Sequence, residues 1–190
     1  MNDYVQEVIR KLDETIISNK SSKSQKYNED YKTILDYFSN KKEICAKTFF
    51  IGNGGSAAIA SHMTADFMKN GGMNTVSLYD NAVMTCMGND YGYDQVFAKP
   101  LSFLAKKGDL LVAISSSGRS QNIINAIEVM HENDGEVITF TGFDSDNPIR
   151  GMGDINVYVP SDKYGMVESI HNLILQQIVD EIMERDGVSL

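Results

Sequence analysis

The side chains able to do chemistry gather in three stretches. The first, GNGGSA at 52–57, is followed by His62 and Asp66, four positions apart and therefore on one face if residues 56–69 are helical. The second, SSSGRSQN at 115–122, sets Ser115, Ser116, Ser117 and Ser120 around Gly118. A helix N-cap uses one hydroxyl, so this cluster exceeds what capping needs; it suits a bound phosphate, with the N–H groups of a helix start beside it. The third lies in the last helical pattern, where Glu168 and His171 are three apart and Gln176 stands about 80° round the helix from Glu168.

Two such helices meeting would gather imidazole, carboxylates and an amide. That set fits a general acid/base pair or a metal site with nitrogen and oxygen ligands. A surface His/Asp pair worth a few tenths of a kcal/mol explains the first helix equally well. The glycine loop lacks both the third glycine of a dinucleotide fingerprint and the Gly-Lys-Ser/Thr of a nucleotide-binding P-loop, so a plain strand-to-helix turn or an anion loop remains. Asn89 and Asp90, in the polar run NDYGYD at 89–94, suit sugar hydroxyls or an Asx turn. His131 reads as a solvated residue near a helix end, and the methionines read as core packing.

These residues need elements to position them. Short apolar runs at 48–52, 74–79, 109–115, 136–142 and 155–160 alternate with helical patterns at 56–69, 81–87, 93–105, 119–132 and 164–185. Runs apolar at nearly every position suit parallel strands covered on both faces, which predicts an α/β three-layer sandwich with a five-stranded parallel sheet. Ligands in such folds bind beyond the carboxyl ends of the strands, where both loops would lie. Pro100 falls within 93–105 and predicts that this helix is divided.

Ahead of this core, residues 3–18 carry an apolar stripe through Val5, Val8, Ile9, Leu12, Ile16 and Ile17, and a second helix is expected near 28–39 after a polar, serine-rich loop. The chain is thus read as one domain: an N-terminal helical pair over 1–42, used in oligomerisation, and an αβα core over 43–190.

At 190 residues, with 42% hydrophobic and 23% charged side chains, the composition is that of a folded domain. A net charge of −9, from 17 basic and 26 acidic groups, argues against broad affinity for nucleic acid or anionic membrane. Cys45 and Cys86 have no metal or redox spacing and are expected to be reduced and at least partly buried. No signal peptide or membrane span is evident, so a cytoplasmic location is expected.

The motifs GNGGSAA, GNDYGY, ISSSGRSQNI and VESIH, in this order, resemble the sugar isomerase (SIS) domain family, and most closely its phosphoheptose isomerases. The resemblance implies a homotetramer with active sites between subunits, binding a sugar phosphate through Asn53, Gly54, Gly55, Ser56, Asn89, Asp90, Ser115, Ser116, Ser117, Ser120 and Glu168. It implies aldose–ketose isomerisation of sedoheptulose 7-phosphate to a glycero-manno-heptose 7-phosphate for surface glycans. It also implies a divalent metal, zinc, at His62, Asp66, Glu168 and Gln176. Only His62 matches the family's metal pattern: Asp66 replaces Glu, Glu168 replaces Gln, and Gln176 replaces the imidazole that moves the proton. Proton transfer then falls to Asp66 or Glu168, with His171 a further candidate. The alternative is a member without turnover, a phosphosugar sensor or a replication-initiator-associating protein.

Overall fold

The computed structural model describes residues 2–19 and 22–187. Among the described residues seven strands form one sheet in the order β2-β1-β7-β6-β5-β3-β4. β3 (Lys47–Gly52), β4 (Asn74–Val76), β5 (Leu110–Ser115), β6 (Glu136–Thr141) and β7 (Ile155–Tyr158) run parallel. These are the five strands read from the apolar runs, and they account for the expected core.

The sheet is nonetheless mixed. β1 (Ile16–Asn19) pairs antiparallel with β7 on one side and with β2 (Ser22–Lys26) on the other. The helix expected over 3–18 ends early: α1 spans Asp3–Asp13 and α2 spans Tyr27–Glu43, so a β-hairpin separates the supposed helical pair. The expected loop is partly strand; residues 20 and 21 of it lie outside the described residues. Thr15, Ile16 and Ile17 form a β-branched run, stiff at χ1 and suited to an extended chain. Thr15 ends the helix by donating its hydroxyl to the Lys11 carbonyl at 2.9 Å. Ile17 is then fully buried, a gain of about 1.5–3 kcal/mol. The hairpin covers the edge of β7 and leaves the polar SKSQK strand outermost, as an edge strand should be.

Helices cover both faces. α2, α3 (Gly55–Lys69) and α7 (Tyr164–Arg185) bury Phe38, Met63, Phe67, Ile170, Ile174 and Ile178 against Phe50, Val112, Ile138 and Phe140. On the other face α5 (Ala98–Leu104) and α6 (Gln121–Glu132) bury Leu101, Ile123, Ile127 and Met130 against Phe49, Ile51, Leu111 and Val137. Alternate residues of each strand thus feed opposite clusters, which is why the runs are continuously apolar. α4 (Asn81–Tyr91) buries no side chain. The helix expected over 93–105 is divided into a 3-10 turn at Tyr93–Gln95 and α5, with Pro100 in the first turn of α5, where its missing N–H costs nothing. Both cysteines are unpaired and exposed, contrary to the expected burial. Among the described residues no helix is long and apolar enough to cross a membrane.

Candidate functional site

β3 is followed in the chain by β4 on one side of it and, later, by β5 on the other. The strand order therefore reverses between β3 and β5, and such a switch point opens a crevice beyond the carboxyl ends of the two strands. A cavity of about 410 Å³ lies there, lined by Asn53, Gly54, Gly55 and Ser56 after β3, by Ser115, Ser116, Ser117 and Ser120 after β5, and by Tyr164 and Glu168 of α7. The two loops singled out in the sequence are its two walls.

The glycine wall is held at its base by Tyr79. Its hydroxyl accepts from the Gly52 N–H at 2.7 Å and donates to the Gly52 carbonyl at 2.8 Å, in place of a strand partner on the β4 side. β4 stops at Val76, short of the expected residue 79, and this hydroxyl takes over. Burial raises the Tyr79 pKa well above that of a free phenol, keeping it protonated. Gly54 has φ +56°, a conformation glycine adopts without strain, and it starts α3 with no side-chain cap. At Gly55 a side chain would collide with the Glu168 carboxylate, so the missing Cβ is what lets Glu168 lie against the helix start. Among the described residues the Glu168 carboxylate makes no hydrogen bond or ion pair.

The serine wall is a turn closed by the Gly118 N–H on the Ser115 carbonyl at 3.1 Å. Gly118 has φ +62°, and the Asn147 side chain fills the space where its Cβ would be. Ser120 occupies the N-cap of α6, yet its side chain makes no capping hydrogen bond. Among the described residues Ser116 Oγ is buried without a partner. Hydroxyls left unspent at a helix start are donors ready for an anion, and α3 and α6 both direct their N-termini into the same cavity. Arg119, at the rim, pairs with Asp144 at 3.1 Å.

Deeper along α3, His62 Nε2 lies 3.0 Å from Asp66 Oδ2, and Gln176 Nε2 donates to the same oxygen at 2.7 Å. Three of the four residues proposed as metal ligands thus stand in one row. Glu168 stands two turns of α7 away from Gln176, about 12 Å along the axis. Among the described residues no group of three or more His, Cys, Asp or Glu side chains is placed to hold a metal ion. As the side chains rest, Gln176 occupies Asp66 Oδ2, and His62, Asp66 and Glu168 are not gathered round one point.

Other expected residues are elsewhere. Asn89 and Asp90 lie on the exposed helix α4, not on a loop, and do not line the cavity; the Asn89 amide donates to Asp90 Oδ1 at 2.8 Å. His171 is fully buried against Phe140, with Nε2 on the Thr141 carbonyl at 3.1 Å. Burial lowers its pKa to about 4, so it is neutral, and it faces the core and not the cavity. His131 is not merely solvated: its Nε2 meets the Met152 carbonyl at 2.9 Å.

The sequence reading passed over four residues that build the site: Tyr79, Tyr93, Asn122 and Tyr164. The Tyr164 ring packs edge-on to Phe143 at 4.7 Å and forms the cavity lip. Tyr93 sits within the NDYGYD run and Asn122 within SSSGRSQN, so both motifs held a signal. Their long-range partners were what could not be read.

The SIS domain model matches residues 4–142. The phosphoheptose isomerase of Sulfurimonas denitrificans is 32% identical over the full length of both chains. That of Aliarcobacter butzleri is 39% identical, covering 70% of this chain and 75% of its own. Among solved structures, a phosphoheptose isomerase from Francisella tularensis superposes with a TM-score of 0.82 at 29% identity, covering 97% of this chain and 96% of the other. One from Neisseria gonorrhoeae gives 0.73 at 32% identity with the same coverage.

Proposed function

The chain belongs to the SIS domain family, alongside the phosphoheptose isomerases, and from that premise we propose that it is an aldose–ketose isomerase of sugar phosphates. The substrate we assign is sedoheptulose 7-phosphate, converted to glycero-manno-heptose 7-phosphate for surface glycans. One observation carries the reading. An unpaired carboxylate, Glu168, faces a cavity whose opposite wall is a set of unspent serine hydroxyls at a helix start.

In this reading the phosphate sits on Ser115–Ser120 and the start of α6, which fixes the reacting end of the sugar near Gly54, Gly55 and Glu168. Glu168 removes the proton from the carbon next to the carbonyl. The C–H electron pair becomes the carbon–carbon double bond of an enediolate, and the carbonyl electrons move to oxygen. N–H groups at the start of α3 stabilise that oxyanion. The same carboxyl returns the proton to the neighbouring carbon, while the hydroxyl proton passes between the two oxygens. Asp66, held by His62 and Gln176, supports the α3–α7 contact and is the second acid/base candidate. Assembly into a homotetramer belongs to this proposal: α1 buries no side chain within its own chain and leaves Tyr4, Val5 and Ile9 exposed.

A second reading, sugar-phosphate binding without turnover, is favoured by one observation: Asp66 is engaged by Gln176 where the family's proton-moving imidazole would stand. The test is to incubate the purified protein with sedoheptulose 7-phosphate, with and without added zinc, and to follow the aldose by NMR. Aldose formation is expected; tight binding with no turnover in either arm selects the second reading.

A further inference from the structure

The glycine wall and the serine wall are tied to each other by a pair of carboxamides. Asn53 Nδ2 donates to Asn122 Oδ1 at 2.9 Å, and Asn122 Nδ2 donates back to Asn53 Oδ1 at 2.9 Å. The Tyr93 hydroxyl donates to the same Asn53 oxygen at 3.0 Å. Asn122 is buried on the first turn of α6, immediately past the serine turn, and does not itself line the cavity. Asn53 does line it, between the end of β3 and Gly54.

We propose that Asn122 is a positioning residue, acting through Asn53 to fix the span between the glycine loop and the phosphate-binding start of α6. The physical need for it is local. Gly54 is exposed, uncapped and has open space around its missing side chain, so backbone sterics do not lock the loop. Tyr79 secures only its base, at Gly52. The reciprocal amide pair supplies two part-buried hydrogen bonds, and the more exposed Tyr93 hydroxyl fills the remaining acceptor site of Asn53 Oδ1. One N–H of Asn53 stays uncommitted by these bonds, and the pair determines where it points. A sugar phosphate that touches both walls would need that span set in advance.

This inference rests on the proposed sugar-phosphate site, and the experiment separates the two. Amide hydrogen exchange on the full-length protein reads the loop without any substrate. In Asn122→Ala, the amides of residues 54–57 should exchange at least about tenfold faster, while those of β3 and β5 stay unchanged. With sedoheptulose 7-phosphate, kcat should fall about 10–100-fold and KM by less than about threefold in either direction. The Kd of inorganic phosphate should stay within about twofold, because the serine turn is intact. In a cycle with Asn53→Ala, the double variant should be no worse than Asn53→Ala alone, since Asn122 acts only through Asn53. Asn122→Asp, of nearly the same shape but unable when ionised to donate to Asn53, guards against a folding failure of the alanine variant and should show the same loop loosening.

Unchanged exchange at 54–57 in both variants overturns the proposal, as does an additive cycle. A wild type that neither binds nor converts the sugar phosphate overturns the assigned function instead, and the exchange result then still decides the role of Asn122.

Discussion

At the amino edge of the sheet Lys41 donates to Glu136 at 2.5 Å and to the Gly108 carbonyl at 3.1 Å, and the Tyr37 hydroxyl binds the other Glu136 oxygen. Asp109 accepts from the Lys47 N–H at 2.8 Å, from Lys47 Nζ at 3.0 Å and from the Lys106 N–H at 2.9 Å. At the carboxyl edge the pattern reverses: Ser116 Oγ has no partner, Ser120 caps nothing, and Glu168 rests unpaired against Gly55. Neither edge is uniform, since among the described residues Thr48 Oγ1 is buried without a partner at the amino end of β3, and Asn53 and Asn122 are paired at the carboxyl edge. Burying polar groups without partners nonetheless costs free energy, and the charged groups at the amino edge are spent on the fold while those lining the cavity are held in reserve for a ligand.

The largest expected effect is at Glu168. Glu168→Gln keeps the shape and removes the base; turnover of sedoheptulose 7-phosphate should fall about 10³-fold, within the range for general acid/base groups. Urea unfolding should shift by no more than about 0.5 kcal/mol, because no partner is lost. A large loss of stability instead would mean that Glu168 is paired in solution, and the contrast between the edges would fail there.

His171 sharpens the comparison from the core. It lies beneath the carboxyl edge on Thr141 but takes no part in the cavity. Its folded pKa, about 4 through burial, is below the usual 6.5. The unfolded chain therefore binds the proton more readily, and the stability this provides is complete above pH 6.5 and lost as pH falls towards 4. The gap corresponds to about 3 kcal/mol. In His171→Gln the urea midpoint should lose this acid-side slope, while the pH profile of isomerisation keeps its form. A changed pH profile would return His171 to the list of proton carriers.

At the amino edge the sign of the effect changes from activity to stability. Lys41→Met leaves Glu136 and Tyr37 without their cation and should cost about 2 kcal/mol, less than a fully buried pair because Glu136 is partly exposed. Thermal unfolding would show it, with kcat per folded molecule unchanged.

Much of this division could be read from residues. Continuous apolar runs at 48–52, 109–115 and 136–142 have one physical outcome, strands covered on both faces, and the serine cluster had more hydroxyls than a cap requires. What could not be read depends on partners distant in the chain. Ile16 and Ile17 continue the helical period of α1, and only their pairing with β7 makes them strand. Glu168 and His171, three apart, share a helix face only loosely; the difference of about 60° sends one to the cavity and the other to the core. Asn122 looks like any polar residue of a first turn until Asn53, 69 positions earlier, is placed against it.

The smallest effect tests the reserve itself. Ser120 occupies the N-cap position of α6, where replacement by alanine ordinarily costs about 1 kcal/mol of stability through the lost cap. Here the side chain makes no capping bond, so Ser120→Ala should leave the melting temperature nearly unchanged. Its hydroxyl would instead be lost to the phosphate. A hydrogen bond to a charged group contributes about 1.5–3 kcal/mol, which sets a rise in the Kd of the sugar phosphate at about tenfold or more. Calorimetric titration with sedoheptulose 7-phosphate reads the second quantity and a thermal scan the first. A variant that melts earlier and binds equally well would make Ser120 an ordinary cap, and the carboxyl edge would then resemble the amino edge in spending its polar groups on the fold.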